Sequence, residues 1–239
     1  INDDFVDQSK PWMTKLVSKQ LENTCRNSHI VFVIHPAQYR TLKSFNKYTY
    51  MLLPWAGNKY IPPVNNNQKK DVVLFWGFID QRIDWNLILT LLNKNIKIRF
   101  IGHVLTRVMH KVKECKKYKN FQFCGSTDLD KLDLSEICCS IIPYNINIKG
   151  VKSISISNRT FQLLSHGIPI VHTDLPDLID IPNSILIKCK SIEDFIIAIE
   201  SFKKNFYLVQ NDMKIFLDNH YESNRYSLIF DKIGELNDK

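Results

Sequence analysis

Near-continuous apolar runs recur along the chain at Ile30–Ile34, Tyr50–Leu53, Val72–Trp76, Ile96–Ile101, Phe121–Cys124, Cys138–Ile142, Ile168–His172 and Ile185–Ile187. Short runs without polar alternation mark strands covered on both faces. Between them lie segments whose apolar residues fall on one side at helical spacing, near 11–25 (Trp12, Leu16, Val17), 37–45, 85–93, 105–118, after Asn158, and near 192–202, 210–219 and 225–236. Pro36, Pro54 and Pro143 stop three of the runs, and Gly77, Gly102 and Gly125 follow three others. Strands alternating with helices through short loops predict an α/β fold with a doubly wound parallel sheet. Such sheets bind ligands at the carboxyl ends of their strands. The three glycines and the loop 145–158 are expected there.

Residues 1–9 are polar and acidic, and Pro62-Pro63 followed by Asn65-Asn-Asn-Gln-Lys-Lys70 reads as a linker. The expected organisation is therefore a first unit over 1–62, a linker over 63–70, a second unit over 71–215 and a C-terminal helix over 216–239. At 239 residues and 44% hydrophobic content the chain can bury a proper core.

Charge adds a partner class. A formal net charge of +8 suggests an anion: a nucleotide, a phospholipid surface or a nucleic acid. Arg107, Lys111, Lys113, Lys116, Lys117 and Lys119 form a basic helix with Glu114 as its only acid; it is either a solvated face or one that meets an anionic membrane. Aromatics do not interleave with these charges, so no nucleic-acid partner is expected. Six scattered cysteines match neither a disulfide framework nor a zinc site and imply a reducing, cytosolic compartment. No apolar stretch is long enough to span a bilayer and no signal peptide is visible. The seven histidines lack ligand spacing, so no metal is expected; His166 and His172 flank a turn, where core or capping roles suit them. The chain has no Gly-x-Ser-x-Gly elbow and no Walker phosphate loop.

The stretch Ser155–Val171 carries the most chemistry. Ser157 or Asn158 can cap a helix, Phe161, Leu163 and Leu164 give it a buried side, Gly167 suits a left-handed end, and Pro169 blocks continuation before an Ile170-Val171 strand. A helix N-terminus fed by a polar loop is a ready anion site, and the guanidinium of Arg159 can grip a phosphate through two bonds. Gln162, one turn on, could reach ribose hydroxyls. The alternative is an ordinary helix–strand link with Arg159 in solvent. Gly77, which permits close approach of a phosphate, and Arg82 are a second candidate pair; Gly102-His103 and Gly125-Ser126 read as strand-end turns.

These residues together resemble the donor-binding half of GT-B glycosyltransferases of the bacterial polysaccharide type, with a family-four-like donor domain. Val72-Val-Leu-Phe-Trp-Gly-Phe-Ile-Asp-Gln-Arg-Ile-Asp-Trp85 is similar to the first strand and glycine turn, Ile98-Arg-Phe-Ile-Gly102 to the second strand, and Phe121-Gln-Phe-Cys-Gly125 to the strand before the base. Ile141-Ile-Pro-Tyr144 followed by Ser157-Asn-Arg-Thr-Phe-Gln-Leu-Leu-Ser-His-Gly-Ile-Pro-Ile-Val171 is similar to the family's signature cap and Gly-x-Pro turn. Residues 2–62 resemble the end of a second, acceptor-side Rossmann-like domain. The resemblance implies a metal-independent transferase that moves a sugar from a nucleotide-sugar donor to a glycan or lipid-linked acceptor, in surface polysaccharide synthesis. No cofactor is implied, since the nucleotide-sugar is a substrate. Gly77, Arg82 and Arg159 would face the diphosphate, with Ser157 and Asn158 at the helix-end amides. Gln162 would meet the ribose, and Ser126 and Tyr144 the base. The catalytic residue is not identified.

Two positions depart from the pattern: Gln162 stands where most members carry Glu, and Ile154 where an earlier carboxylate is frequent. A non-catalytic nucleotide-binding subunit and a nucleotide-sugar epimerase-like α/β protein are therefore the competing readings. The missing initiator Met and the missing early acceptor domain are expected to mark an N-terminally incomplete chain. The expected location is the cytoplasm, at the inner face of the membrane.

Overall fold

The computed structural model describes residues 13–57, 59–63, 68–152, 154–176 and 178–237. The acidic segment 1–9, the helix start at Pro11-Trp12 and linker residues 64–67 lie outside them. In the first unit, helix α1 (Thr14–Arg26) precedes strand β1 (Val31–Val33), helix α2 (Pro36–Leu42) and strand β2 (Thr49–Met51). Pro36 opens α2, where a missing amide costs nothing. β1 and β2 pair in parallel over a small core of Cys25, Val31, Val33 and Leu42.

The second unit supplies β3 (Val72–Trp76), α3 (Trp85–Asn93), β4 (Lys97–Ile101), α4 (Met109–Cys115), β5 (Phe121–Phe123), β6 (Ile137–Ile142), α5 (Asn158–Ser165), β7 (Ile170–Thr173), β8 (Leu186–Cys189) and α6 (Ile192–Asn205). Its strands form one six-stranded sheet in the order β5-β4-β3-β6-β7-β8, every pair parallel. The order reverses between β3 and β6, and the crevice outside the carboxyl ends at such a reversal is where doubly wound sheets take ligands. Both strands at the reversal are buried: all of Ile137–Ile142 and the first four residues of Val72–Trp76. That burial explains their nearly continuous apolar sequence, broken only by Ser140, whose hydroxyl donates to the Leu74 carbonyl at 3.0 Å. The main core is continuous from this sheet to the helices on it, with Phe75, Phe100, Phe161 and Phe202 its largest enclosed side chains.

The basic helix expected over 105–118 is a 3-10 turn (Thr106–Val108) running into a short α4. Its charges explain the shortening: Glu114 pairs only with Lys111, at 3.4 Å, and like charges one turn apart disfavour a longer helix. Three helices close the chain, α6, α7 (Gln210–Leu217) and α8 (Glu222–Asn237). A Ser191–Asp194 capping box starts α6. The last helix begins at Glu222, before the helical spacing near 225–236 and after the 216 boundary expected for the C-terminal helix, and returns to the first unit. The Ala56 amide donates to the His220 carbonyl at 2.9 Å and the Glu222 amide to Gly57 at 3.1 Å. Arg225 Nη2 donates to the Pro54 carbonyl at 3.3 Å, and Lys232 Nζ lies 5.2 Å from the centre of the Tyr50 ring.

Candidate functional site

The carboxyl end of β3 is built around an arginine from another element. Arg159 sits in the first turn of α5; its Nη2 donates to the Tyr144 hydroxyl at 2.9 Å and its Nη1 to the Trp76 carbonyl at 3.4 Å. The guanidinium carbon stands 5.6 Å from the Phe75 ring centre and 5.7 Å from that of Tyr144. It reaches the strand end because residue 77 has no side chain. A Cβ there would lie 2.6 Å from Arg159 Nη1, and Gly77 also has φ near +143°, a backbone conformation open mainly to glycine. The sequence separates Gly77 from Arg159 widely; the fold makes one surface of them.

Two further strand-end turns stack against this one. The Gly77 amide donates to Ile101 and the Gly102 amide to Gly125, at 2.9 and 2.7 Å. Gly102 is packed so closely that a Cβ would lie 1.7 Å from the Gly77 carbonyl oxygen. Arg82 also converges, its guanidinium carbon 5.9 Å from the Tyr144 ring centre. It is held by buried Asp80, with Nη2–Oδ2 at 2.6 Å and Nε–Oδ2 at 2.8 Å. The following Asp84 accepts from the Leu87 amide at 3.1 Å and caps α3. The sequence carried no sign that Asp80, not a ligand alone, would orient Arg82.

Gln162 is exposed on α5 and lines a cleft of about 480 Å³ with Trp76, Lys59, Asp128, Asp130 and His166. Trp76 is held there by an indole N–H bond to the Thr127 carbonyl at 3.1 Å. His166 Nε2 meets Asp130 Oδ1 at 2.7 Å while its Nδ1 meets the Gln162 carbonyl oxygen at 2.8 Å, closing the carboxyl end of α5. None of Trp76, Lys59, Asp128 and His166 was singled out for this cleft from the sequence; the place of Trp76 at a strand's carboxyl end, immediately before Gly77, is the one signal that could have found it, since the others come from three loops. Tyr144, expected near a base, accepts the bond from Arg159. Ser126 and Asn158 are exposed. Ser157 does occupy the N-cap position of α5, with extended backbone, but its side chain makes no cap bond, which corrects the expected capping role: the helix-end amides are not satisfied by that hydroxyl.

The wall behind Tyr144 is a buried histidine. His172 packs edge-on against the Tyr144 ring at 5.8 Å, and its Nδ1 lies 2.6 Å from the Thr173 carbonyl oxygen. Burial, helped by the positive charges of Arg159 and Lys188, pulls its pKa down from 6.5 to about 4. The unfolded chain then binds a proton that the folded chain refuses between those values. His172 therefore lowers stability progressively as pH falls from about 6.5 to about 4, by up to about 3 kcal/mol. Denaturant unfolding at pH 7, 5.5 and 4.5 is expected to show this decline, with a shallower slope in His172→Gln. Equal slopes in the two proteins would remove His172 as a cause.

The six-stranded sheet, the two-stranded parallel unit before it and the terminal helix that crosses back define the GT-B fold. No protein-family model and no curated protein sequence matches the chain. Among solved structures it is similar to TarM, with a TM-score of 0.68 and 16% identity over 96% of this chain and 47% of that one. It is also similar to an S. aureus TarM mutant in complex with fondaparinux, alpha-GlcNAc-glycerol and UDP, with a TM-score of 0.66, 15% identity and cover of 93% and 46%. A third similarity is to a structure of accessory secretory protein 1, 2 and 3 from Streptococcus pneumoniae, with a TM-score of 0.55, 13% identity and cover of 91% and 47%. The chain spans about half the length of each of these.

Proposed function

We propose that the chain is the donor-binding part of a glycosyltransferase that transfers a sugar from a nucleotide-sugar to a glycan or lipid-linked acceptor, in surface polysaccharide synthesis. One observation carries the reading: a guanidinium in the first turn of α5, where no acidic residue offsets it. A cation near a helix N-terminus opposes the helix dipole and typically costs about 0.3–1 kcal/mol. A bound anion reverses that sign, because it meets the dipole, the helix-end amides and the guanidinium at once. A nucleoside diphosphate leaving group suits the place. Arg159 would stabilise the charge that develops on the β-phosphate as the sugar departs, Gly77 would let the phosphates approach the backbone, and Arg82, oriented by Asp80, would add further hydrogen-bond donors. The adjoining cleft at Gln162 and Trp76 would take the nucleoside. The UDP in the TarM complex supports a uridine nucleotide as the first donor class to test.

Arg159 and the amides at the start of α5 supply positive charge at the diphosphate, and Arg82, whose charge is offset by Asp80, supplies further donors, so the reaction is proposed to be metal-independent. Release of nucleoside diphosphate from a panel of nucleotide-sugars is expected to persist in excess EDTA. Loss of activity in EDTA and its return with magnesium would overturn the metal-free assignment. Product analysis separates transfer or hydrolysis from epimerisation, in which the nucleotide-sugar bond survives.

The proposed location is the cytoplasmic face of a membrane, where lipid-linked acceptors are presented. The exposed Lys113, Lys116, Lys117 and Lys119 support it, as exposed cations are drawn to anionic lipid and released by salt. Among the described residues no helix is long and apolar enough to cross a membrane. A non-catalytic subunit is the second reading, favoured by Gln162 where the resembled family carries a carboxylate. Nucleotide binding without turnover of any donor would select it.

A further inference from the structure

The opposite end of the sheet holds a second concentration of positive charge. A concavity of about 420 Å³ opens at the amino ends of β3 and β4, lined by Lys69, Lys70, Lys97, Lys203 and Lys204 against two carboxylates, Asp71 and Glu200. Strand β3 has five residues, which at roughly 3.3 Å each put this pocket about 16 Å from Gly77. It is therefore separate from the cleft at Arg159.

The carboxylates are already engaged. Asp71 Oδ2 lies 3.1 Å from Lys97 Nζ and 3.7 Å from Lys69 Nζ, and Glu200 Oε1 lies 2.7 Å from Lys203 Nζ. Lys204 is exposed and, among the described residues, has no carboxylate within ion-pair distance. Lys70 is the more telling case. It is 6% exposed, yet among the described residues its ammonium has no carboxylate within ion-pair distance and meets the Leu134 carbonyl oxygen at 3.4 Å and the Phe206 ring at 4.7 Å from its centre. A buried cation is costly unless it is closely paired; burial lowers the Lys70 pKa, and the nearby charge of Asp133 opposes that shift only in part. The carbonyl end of α6, whose last turn carries Lys203 and Lys204, adds only about half a negative charge. With five lysines against Asp71 and Glu200, the pocket keeps a net positive charge that its own lining does not neutralise.

We infer that this pocket binds a phosphate group, carried either by a lipid headgroup or by a soluble phosphorylated ligand. Its shape and chemistry select that class. The site is concave and small, so it fits a headgroup-sized ligand. It gathers five ammonium groups, of which Lys70 and Lys204 have no carboxylate within ion-pair distance among the described residues; ammonium groups act as point charges that can surround a phosphate. Asn95, which takes a left-handed φ of 60° at the turn before β4, lines the same concavity and brings a neutral amide to it.

The test uses pyrophosphate as the soluble probe, followed by calorimetry at low salt. It is run on the wild-type chain, on Arg159→Ala to remove the other anion site, and on the double lysine variant Lys69→Gln/Lys204→Gln carried in the Arg159→Ala background, so that only the far pocket is read. Both of the latter lysines are exposed, so the double variant keeps the fold, which a melting curve checks. Binding is expected to survive Arg159→Ala and to weaken at least tenfold in the double variant. Binding that vanishes in Arg159→Ala, that is unchanged in the double variant, or that is absent from the wild type overturns the inference. Sedimentation with phosphatidylcholine vesicles, with and without phosphatidic acid, then separates the sources. Retention only with phosphatidic acid, lost in the double variant, assigns the lipid headgroup; pyrophosphate binding without retention assigns a soluble ligand.

Discussion

Arg159→Ala is expected to lower donor turnover by about 10²- to 10³-fold, the usual loss when one preorganised group facing developing charge is removed. The side chain touches Trp76 and Tyr144 at the strand end, and its removal takes away the only cation in the first turn of α5. Stability should change little. The lost hydrogen bonds are worth about 1 kcal/mol each, and relief of the unfavourable helix-dipole contact offsets part of that. A melting temperature within a few degrees of wild type, together with a nucleoside diphosphate affinity reduced at least tenfold, is the expected pair of results. Arg159→Lys should recover part of the loss, since it keeps the charge but not the two-point grip. Tyr144→Phe should cost less, because the guanidinium stays and only its 2.9 Å bond to the hydroxyl is lost. Wild-type turnover in Arg159→Ala would end the proposed role of this residue and with it the transferase reading that rests on it.

Gly102→Ala is expected to be the most damaging single-methyl change in the described chain outside the core. The added carbon would sit 1.7 Å from the Gly77 carbonyl oxygen, and the atom in the way is backbone, so no rotamer relieves it. Residue 102 also has φ near +151°, where a side chain is strained by about 1–3 kcal/mol before any clash. A loss of at least about 3 kcal/mol, roughly 6–12 °C in melting temperature for a chain of this size, is expected. The Gly77 turn would shift with it, so nucleotide affinity should fall along with stability. Gly125→Ala is the control. It has φ near +74° but open space around the new carbon, so it should cost only about 1–2 kcal/mol. Comparable melting temperatures for the two variants would show that the contact between the strand-end turns does not matter.

The parallel sheet was legible because burial on both faces leaves a plain mark in sequence. Val72–Trp76 and Cys138–Ile142 are apolar at nearly every position, and no amphipathic helix of that length reads the same way. The breaks at Gly77, Gly102 and Gly125 were legible for a related reason, since glycine at a strand end signals backbone that other residues cannot adopt. Helix ends were read less well. The basic helix stops early and the last helix starts ahead of its helical spacing, because like-charge repulsion in one and tertiary contacts to Pro54, Ala56 and Gly57 in the other outweigh local propensity.

The site divides along the same line. Local chemistry named Gly77, Arg82, Arg159 and Gln162 one at a time, as residues suited to phosphate or sugar hydroxyls. Their meeting depends on which strands become neighbours. The reversal of strand order between β3 and β6 brings the loop after one strand against the helix after the other, and only then does Arg159 lie over Gly77 and bond Tyr144. Asp80 as the anchor of Arg82, and the lysines gathered at the far end of the sheet, belong to the same category. They are pairings between distant segments, set by packing and charge in three dimensions, for which a linear pattern of polar and apolar residues holds no record.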